Sequence, residues 1–128
     1  AGVPEAIYAS RGHTVTCAPR FNFSELLPCA RVFVHHGGQN SMMDALSYEV
    51  PQLIVSGRVF ERQFNAEAVE NARCGLTVRK PKPALIARAA RALLDEPALT
   101  SGIRGLREEL SSLGGAARIV REVEKLIS

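Results

Sequence analysis

Residues 32–46 read VFVHHGGQNSMMDAL and set His35 and His36 side by side ahead of Gly37, Gly38, Asn40, Ser41 and Asp44. Three chemistries compete for these side chains. As metal ligands the two imidazoles are poorly arranged, because neighbouring side chains of an extended segment point to opposite faces and would converge only at a kink. The remaining histidine, His13, is distant in sequence, and no cysteine or carboxylate stands at ligand spacing. As an acid–base dyad the pair is incomplete, since a general base needs an orienting partner and a substrate proton within hydrogen-bond reach. The sequence shows neither. A purely structural use, one packed histidine and a tight glycine turn, also stands open.

An anion cradle gives more of the stretch a role. Gly37 and Gly38 let the backbone approach a ligand with no Cβ in the way. A helix starting after them offers unpaired N–H groups and a dipole worth about 0.3–1 kcal/mol to a nearby negative charge. Asn40 and Ser41 add side-chain donors where phosphate oxygens would lie. His36 is placed to donate a further hydrogen bond and, when protonated, to add positive charge. Asp44, one turn further along, suits the hydroxyls of a sugar diol. Neither a Walker A sequence nor GxGxxG accompanies the stretch, so the pattern alone does not name a ligand.

The elements that would position these residues follow from short apolar runs and their punctuation. Strands are expected at Thr14–Cys17, Arg31–His35, Gln52–Val55 and Leu76–Val78. Their apolar residues fall on both alternations, as in strands covered on both faces. Helices are expected at Ser24–Ala30 with Ser24 as N-cap, at Asn40–Tyr48, at Asn65–Arg73 with Cys74-Gly75 as its stop, and from Pro83 through Leu94. Leu99, Ile103, Leu106, Leu110 and Leu113 make a core-facing stripe too short for a coiled coil. Gly114-Gly115 breaks that run before a last amphipathic helix carrying Ile119, Val120, Val123, Leu126 and Ile127. The alternation predicts one α/β domain over residues 1–128, a Rossmann-like parallel sheet with helices on both faces. Ligands of such sheets settle beyond the C-terminal strand ends, which is where His35–Asn40 lies.

Composition sets outer limits. The 128 residues carry 46% hydrophobic and 23% charged residues and a net charge of +3. Thirteen arginines and three lysines are spread along the chain, and aromatics are only 5%, so a nucleic-acid partner is not expected. No apolar run reaches the ~18–20 residues of a membrane helix, and no signal peptide is expected, so membrane association is not indicated. Cys17, Cys29 and Cys74 form no CxxC pair and, among apolar neighbours, read as buried, inert thiols of a reducing, cytoplasmic setting. The chain starts at Ala1 without methionine, which suggests a fragment or a processed product.

His36-Gly37-Gly38-Gln39-Asn40-Ser41-Met42-Met43-Asp44-Ala45-Leu46, then Val50-Pro51, then Glu61-Arg62-Gln63-Phe64-Asn65-Ala66, together resemble the C-terminal, donor-binding domain of GT-B glycosyltransferases. The likeness is strongest to the UDP-glycosyltransferase superfamily, including bacterial antibiotic enzymes, whose pattern runs H-[CG]-G-x-[NG]-[ST]-x-x-E, G-V-P and D-Q-x-x-N-A. It extends loosely from Thr14 to Leu94. The resemblance implies transfer of a sugar from a nucleotide-sugar donor to a hydroxyl of a small-molecule or lipid acceptor, with no cofactor and no metal. It implies a donor diphosphate on His36, Gly37, Gly38, Asn40 and Ser41. Ribose and sugar would contact Gln39, Asp44, Glu61 and Arg62, and Asn65 would either fix the adjoining loop or touch ligand.

Three departures from the pattern carry chemical meaning. Arg62 replaces a glutamine, losing an acceptor and gaining a permanent charge, which points to an acidic or otherwise unusual donor sugar. Glu49 replaces the glycine before Val50-Pro51. The tryptophan-led element that usually precedes the histidine has no clear counterpart, so the nucleotide, UDP or TDP, stays open. The resemblance further implies that opening strands and an N-terminal acceptor domain with the general base are missing, so no catalytic residue is assigned here. The Thr14 strand would then lack a neighbour in the sheet, and the Val32 strand would present an open edge. The partners implied are the donor and that missing domain or a second chain completing the sheet, with a homo-oligomer compatible. A non-catalytic nucleotide-sugar-binding or regulatory module and a sugar-nucleotide epimerase of the same architecture are the alternatives.

Overall fold

The computed structural model describes residues 6–10 and 12–128. In chain order the first two strands, β1 (Ala6–Ser10) and β2 (His13–Cys17), pair antiparallel, with Ser10 opposite His13 and Ala6 opposite Cys17. A short helix α1 (Phe23–Leu26) runs into a 3-10 turn at Leu27–Cys29. Next come β3 (Phe33–His35), α2 (Gln39–Ser47), β4 (Gln52–Val55), α3 (Phe60–Asn71) and β5 (Gly75–Val78). The chain closes with α4 (Pro83–Asp95), α5 (Ile103–Ser112) and α6 (Gly115–Ile127).

The three later strands form a parallel sheet in the order β3-β4-β5. Its core follows from the two-residue period of β4. Leu53 and Ile54 are both 0% exposed, yet they face opposite sides. Ile54 packs with Leu46 of α2, Ala66 and Val69 of α3, Cys74 and Ile103 of α5, while Leu106 and Leu110 flank that cluster. Leu53 packs with Val78 and Leu93, flanked by Ile86, Ala89 and Ala90 of α4. Helices therefore cover both faces, and each fully buried Leu or Ile contributes about 1.5–3 kcal/mol. The predicted α/β architecture is the observed one.

Several local expectations change. The strand expected at Thr14–Cys17 is not part of the parallel sheet; it forms a hairpin with Ala6–Ser10, where the sequence pattern predicts no strand. Two residues connect the pair, and Gly12 takes φ +77, the left-handed conformation that two-residue hairpin turns require. The cap of α1 is Asn22, whose Oδ1 accepts from the Ser24 N–H at 3.1 Å, so Ser24 is not the N-cap. Helix α3 starts at Phe60, five residues before the expected Asn65, which puts Glu61 and Arg62 in its first turn.

The stop of α3 also differs. Arg73, at φ 55, takes the left-handed position, and the Cys74 N–H closes back onto the Val69 carbonyl at 2.9 Å. Gly75 instead opens β5, where any side chain would run into the Gln52 carbonyl of β4. Glu49, in the place of the expected glycine, has φ 56, so that turn does use the conformation glycine takes at least cost.

Sheet edges differ in their protection. On β5 the outward Thr77 N–H is taken by the Glu70 carboxylate at 2.6 Å, which blunts the edge. β3 is the other edge strand, as expected of the Val32 strand, and Val34 on it is 46% exposed. Helix α6 buries no residue, and its stripe of Ile119, Val120, Val123, Leu126 and Ile127 is exposed.

Candidate functional site

The candidate site sits where β3 gives way to α2, at the C-terminal end of the sheet. Gly37 makes the turn possible. Its φ is +96, and a Cβ there would lie 2.9 Å from the Ile54 Cγ2 and 3.1 Å from the Arg62 backbone oxygen. A side chain is excluded twice over, by conformation and by space. The same contacts show that the glycine turn and the first turn of α3 touch. The two motifs separated in sequence, His36–Asp44 and Glu61–Arg62, are thereby brought together.

The two histidines part company, as alternation in an extended segment requires. His35 turns back toward the protein, against the Phe33 ring at 4.8 Å between centroids. Its Nε2 lies 2.8 Å from the Gln52 Oε1, and its Nδ1 accepts the Gly37 N–H at 3.1 Å. Burial holds its pKa below the ordinary 6.5; the Gln52 hydrogen bond opposes that shift and the charge of His36 adds to it. His36 is exposed and folds over the start of α2, where a Cβ on Gly38 would come within 2.9 Å of its Nε2.

Gly38 is the N-cap of α2 and no side chain caps the helix. Its carbonyl accepts the Met42 N–H at 3.0 Å, leaving the N–H groups of Gln39, Asn40 and Ser41 to the orphan donors of a helix start. Gln39 and Asn40 are exposed; Ser41 and Asp44 are half-buried. Asp44 follows Asn40 by four residues and so shares its face, about 6 Å further along the axis. The Asn65 Nδ2 donates to the Gly37 carbonyl at 2.9 Å, so this side chain fixes the glycine turn rather than facing outward. Glu61 is exposed and Arg62 half-buried, and neither side chain has a hydrogen-bond or ion-pair partner among the described residues.

A cleft of about 580 Å³ lies elsewhere, between α3 and β5, and includes Ser56, Phe60, Phe64 and Arg79. None of the sequence-predicted site residues lines it. The residue that sequence reasoning left without a function is Gln52, only 1% exposed, which also donates from Nε2 to the Met42 carbonyl at 3.1 Å. Its signal was available: a glutamine in an otherwise apolar central strand must be satisfied by something specific.

Residues 9–126 match the family described as erythromycin biosynthesis protein CIII-like, C-terminal domain. The chain belongs to this family. It is 37% identical over 94 residues to the elloramycin glycosyltransferase ElmGT of Streptomyces olivaceus, covering 73% of this chain and 23% of that protein. Among solved structures, the spinosyn forosaminyltransferase SpnP superposes with a TM-score of 0.82 at 26% identity, over 98% of this chain and 34% of that one. Glycosyltransferase VinC in complex with DTDP gives 0.77 at 26% identity, over 84% of this chain and 28% of that one. The chain spans about a quarter of the length of the curated relatives it matches. The expected kinship with antibiotic-type glycosyltransferases is correct. Membership of this CIII-like family makes the β3–α2 turn part of a C-terminal domain, and no helix among the described residues is long and apolar enough to cross a membrane.

Proposed function

We propose that this chain is the donor-binding half of a glycosyltransferase that moves a sugar from a nucleoside diphosphate to a hydroxyl acceptor. One observation carries the reading: an uncapped helix start, overhung by His36, follows a glycine turn that is tied down behind it. Backbone N–H groups of Gln39, Asn40 and Ser41, with the side chains of Asn40 and Ser41, receive the diphosphate on the helix dipole. Asp44 takes ribose hydroxyls, while Gln39, Glu61 and Arg62 face the sugar. As the glycosidic bond to the diphosphate breaks, negative charge grows on the departing phosphate, and the same N–H groups and His36 stabilise it without reorganising.

No residue of this chain serves as the general base. That group, and the acceptor pocket, belong to the remaining three-quarters of a protein as long as its relatives. The open side of β3, with Val34 half-exposed, is the surface such a part would complete. The nucleotide bound to VinC supports a nucleoside diphosphate as ligand. Cys17, Cys29 and Cys74 are free thiols, in keeping with action in the cytoplasm, although only Cys74 is buried as expected, Cys17 being half-buried and Cys29 exposed.

Calorimetry of the full-length protein with UDP, TDP, GDP and their sugars tests the reading. Binding of at least one diphosphate is expected, together with a loss of about tenfold in Asn40→Ala, in line with one charge-assisted hydrogen bond. Identical behaviour of the unmodified protein and Asn40→Ala toward every ligand would remove the donor site from this turn.

A further inference from the structure

We propose that His35 is a positioning residue for the diphosphate-binding turn, acting through the neutral imidazole that links Gly37 to Gln52. The inference rests on the donor-site reading above and adds to it a residue that the motif comparison left without a role.

The hydrogen bonds define one direction through the whole chain of groups. The Gly37 N–H can only donate, so His35 Nδ1 must offer its lone pair at 3.1 Å. The imidazole proton is therefore on Nε2, which faces the Gln52 Oε1 at 2.8 Å. Gln52 is held in that orientation because its Nε2 donates to the Met42 carbonyl at 3.1 Å, inside the helix whose start binds the anion. On the far side of the turn, the Asn65 Nδ2 holds the Gly37 carbonyl at 2.9 Å. Both polar groups of the Gly37 unit are thus committed to protein partners. The next N–H groups in the chain are left facing outward.

An imidazolium carries protons on both nitrogens, and its Nδ1–H would oppose the Gly37 N–H instead of accepting it. Burial favours the neutral form at this position, consistent with the geometry. His35 consequently acts on phosphate without touching it. It sets where the peptide at Gly37-Gly38 lies, and with it the angle at which the N–H groups of α2 meet a ligand.

Two substitutions divide the imidazole's two bonds. In His35→Asn the Oδ1 takes the place of Nδ1 and keeps an acceptor for the Gly37 N–H, but the reach to Gln52 is lost. In His35→Gln the side chain reaches Gln52 and leaves Gly37 without an acceptor. Calorimetry on the full-length protein would use TDP and UDP, with thymidine and uridine as phosphate-free controls. Expected is diphosphate affinity within about threefold of the unmodified protein for His35→Asn, and a loss of about tenfold for His35→Gln. Nucleoside affinity should change less than about twofold in both. Hydrogen exchange of the Gly37 amide should be slow in the unmodified protein and His35→Asn, and faster in His35→Gln.

Equal diphosphate binding by all three proteins overturns the proposal. So does the reverse order of the two variants, a proportional loss of nucleoside and diphosphate, or unfolding of both variants. Absence of any diphosphate binding by the unmodified protein overturns the donor-site reading itself, and this inference falls with it.

Discussion

The two sides of the candidate site are built differently. At the glycine turn a chain of polar groups is committed behind Gly37: Gly37 N–H to His35, Gly37 carbonyl to Asn65, His35 to Gln52, and Gln52 to α2. At the start of α3, Glu61 and Arg62 have no side-chain partners among the described residues, and the Arg62 backbone lies against Gly37. The difference matches what each side would recognise. On the proposed reading a diphosphate, the same in every donor, rewards fixed N–H groups, whereas a sugar that differs between donors would be met by long side chains without fixed partners. Preorganisation and variability occupy adjacent turns of the same surface.

Breaking the rigid side should be expensive. Gly37→Ala combines a left-handed backbone with a 2.9 Å clash against Ile54, so the unfolding free energy should fall by about 2–4 kcal/mol in a denaturant titration. A loss below half a kcal/mol would show that the turn is far softer than its contacts indicate. Asn65→Ala comes next. It leaves the buried Gly37 carbonyl unpaired, and a cost of about 1–3 kcal/mol is expected in the same titration, with weaker diphosphate binding.

Acid should reach the rigid side through His35. Its folded pKa lies below 6.5, so on acidification the unfolded chain takes up the proton first, and stability rises with pH across that interval. Its contribution is complete above about pH 6.5 and is lost as the pH falls toward the folded value. The electrostatic influence of the neighbouring His36 pushes in the same direction as burial. Unfolding curves of the unmodified protein and His35→Asn between pH 8 and pH 5 should therefore converge toward acid. Parallel curves across that range would contradict the assignment.

The variable side should yield the smallest effects on folding. Arg62→Gln restores the residue typical of the resembling family and is expected to change stability by no more than about 0.5 kcal/mol. Its effect should be confined to the sugar: affinity for a bare nucleoside diphosphate stays the same while the ranking of nucleotide sugars shifts. Loss of diphosphate binding in this variant would erase the distinction between the two sides.

Legibility in the sequence follows the range of the interactions involved. Strands β3 to β5, helices α2, α4 and α5, and the glycine turn were readable because short apolar runs and Gly37-Gly38 act locally. The start of α3 was not, because its N-cap is Val59 and no capping side chain marks it. The β1–β2 hairpin escaped because a strand at Thr14 fits a parallel sheet equally well when only its own residues are weighed. Gly75 looks locally like a helix stop, while its actual constraint comes from Gln52, more than twenty residues away. His35 and Gln52 are likewise 17 residues apart and meet only because β3 and β4 pair, with His35 opposite Ile54. The motif singles out the residues proposed to face a ligand; only the pairing of strands shows what holds them in place.

The central claim is that a diphosphate lies between His36 and the start of α2. The most direct test compares the full-length protein with His36→Ala, a replacement at an exposed side chain that should leave folding intact. Calorimetry with TDP or UDP and with the corresponding nucleoside gives the ratio of the two affinities. The account predicts that His36→Ala weakens diphosphate binding by about tenfold while nucleoside binding stays nearly constant. Equal losses for both ligands, or no loss for either, would contradict it.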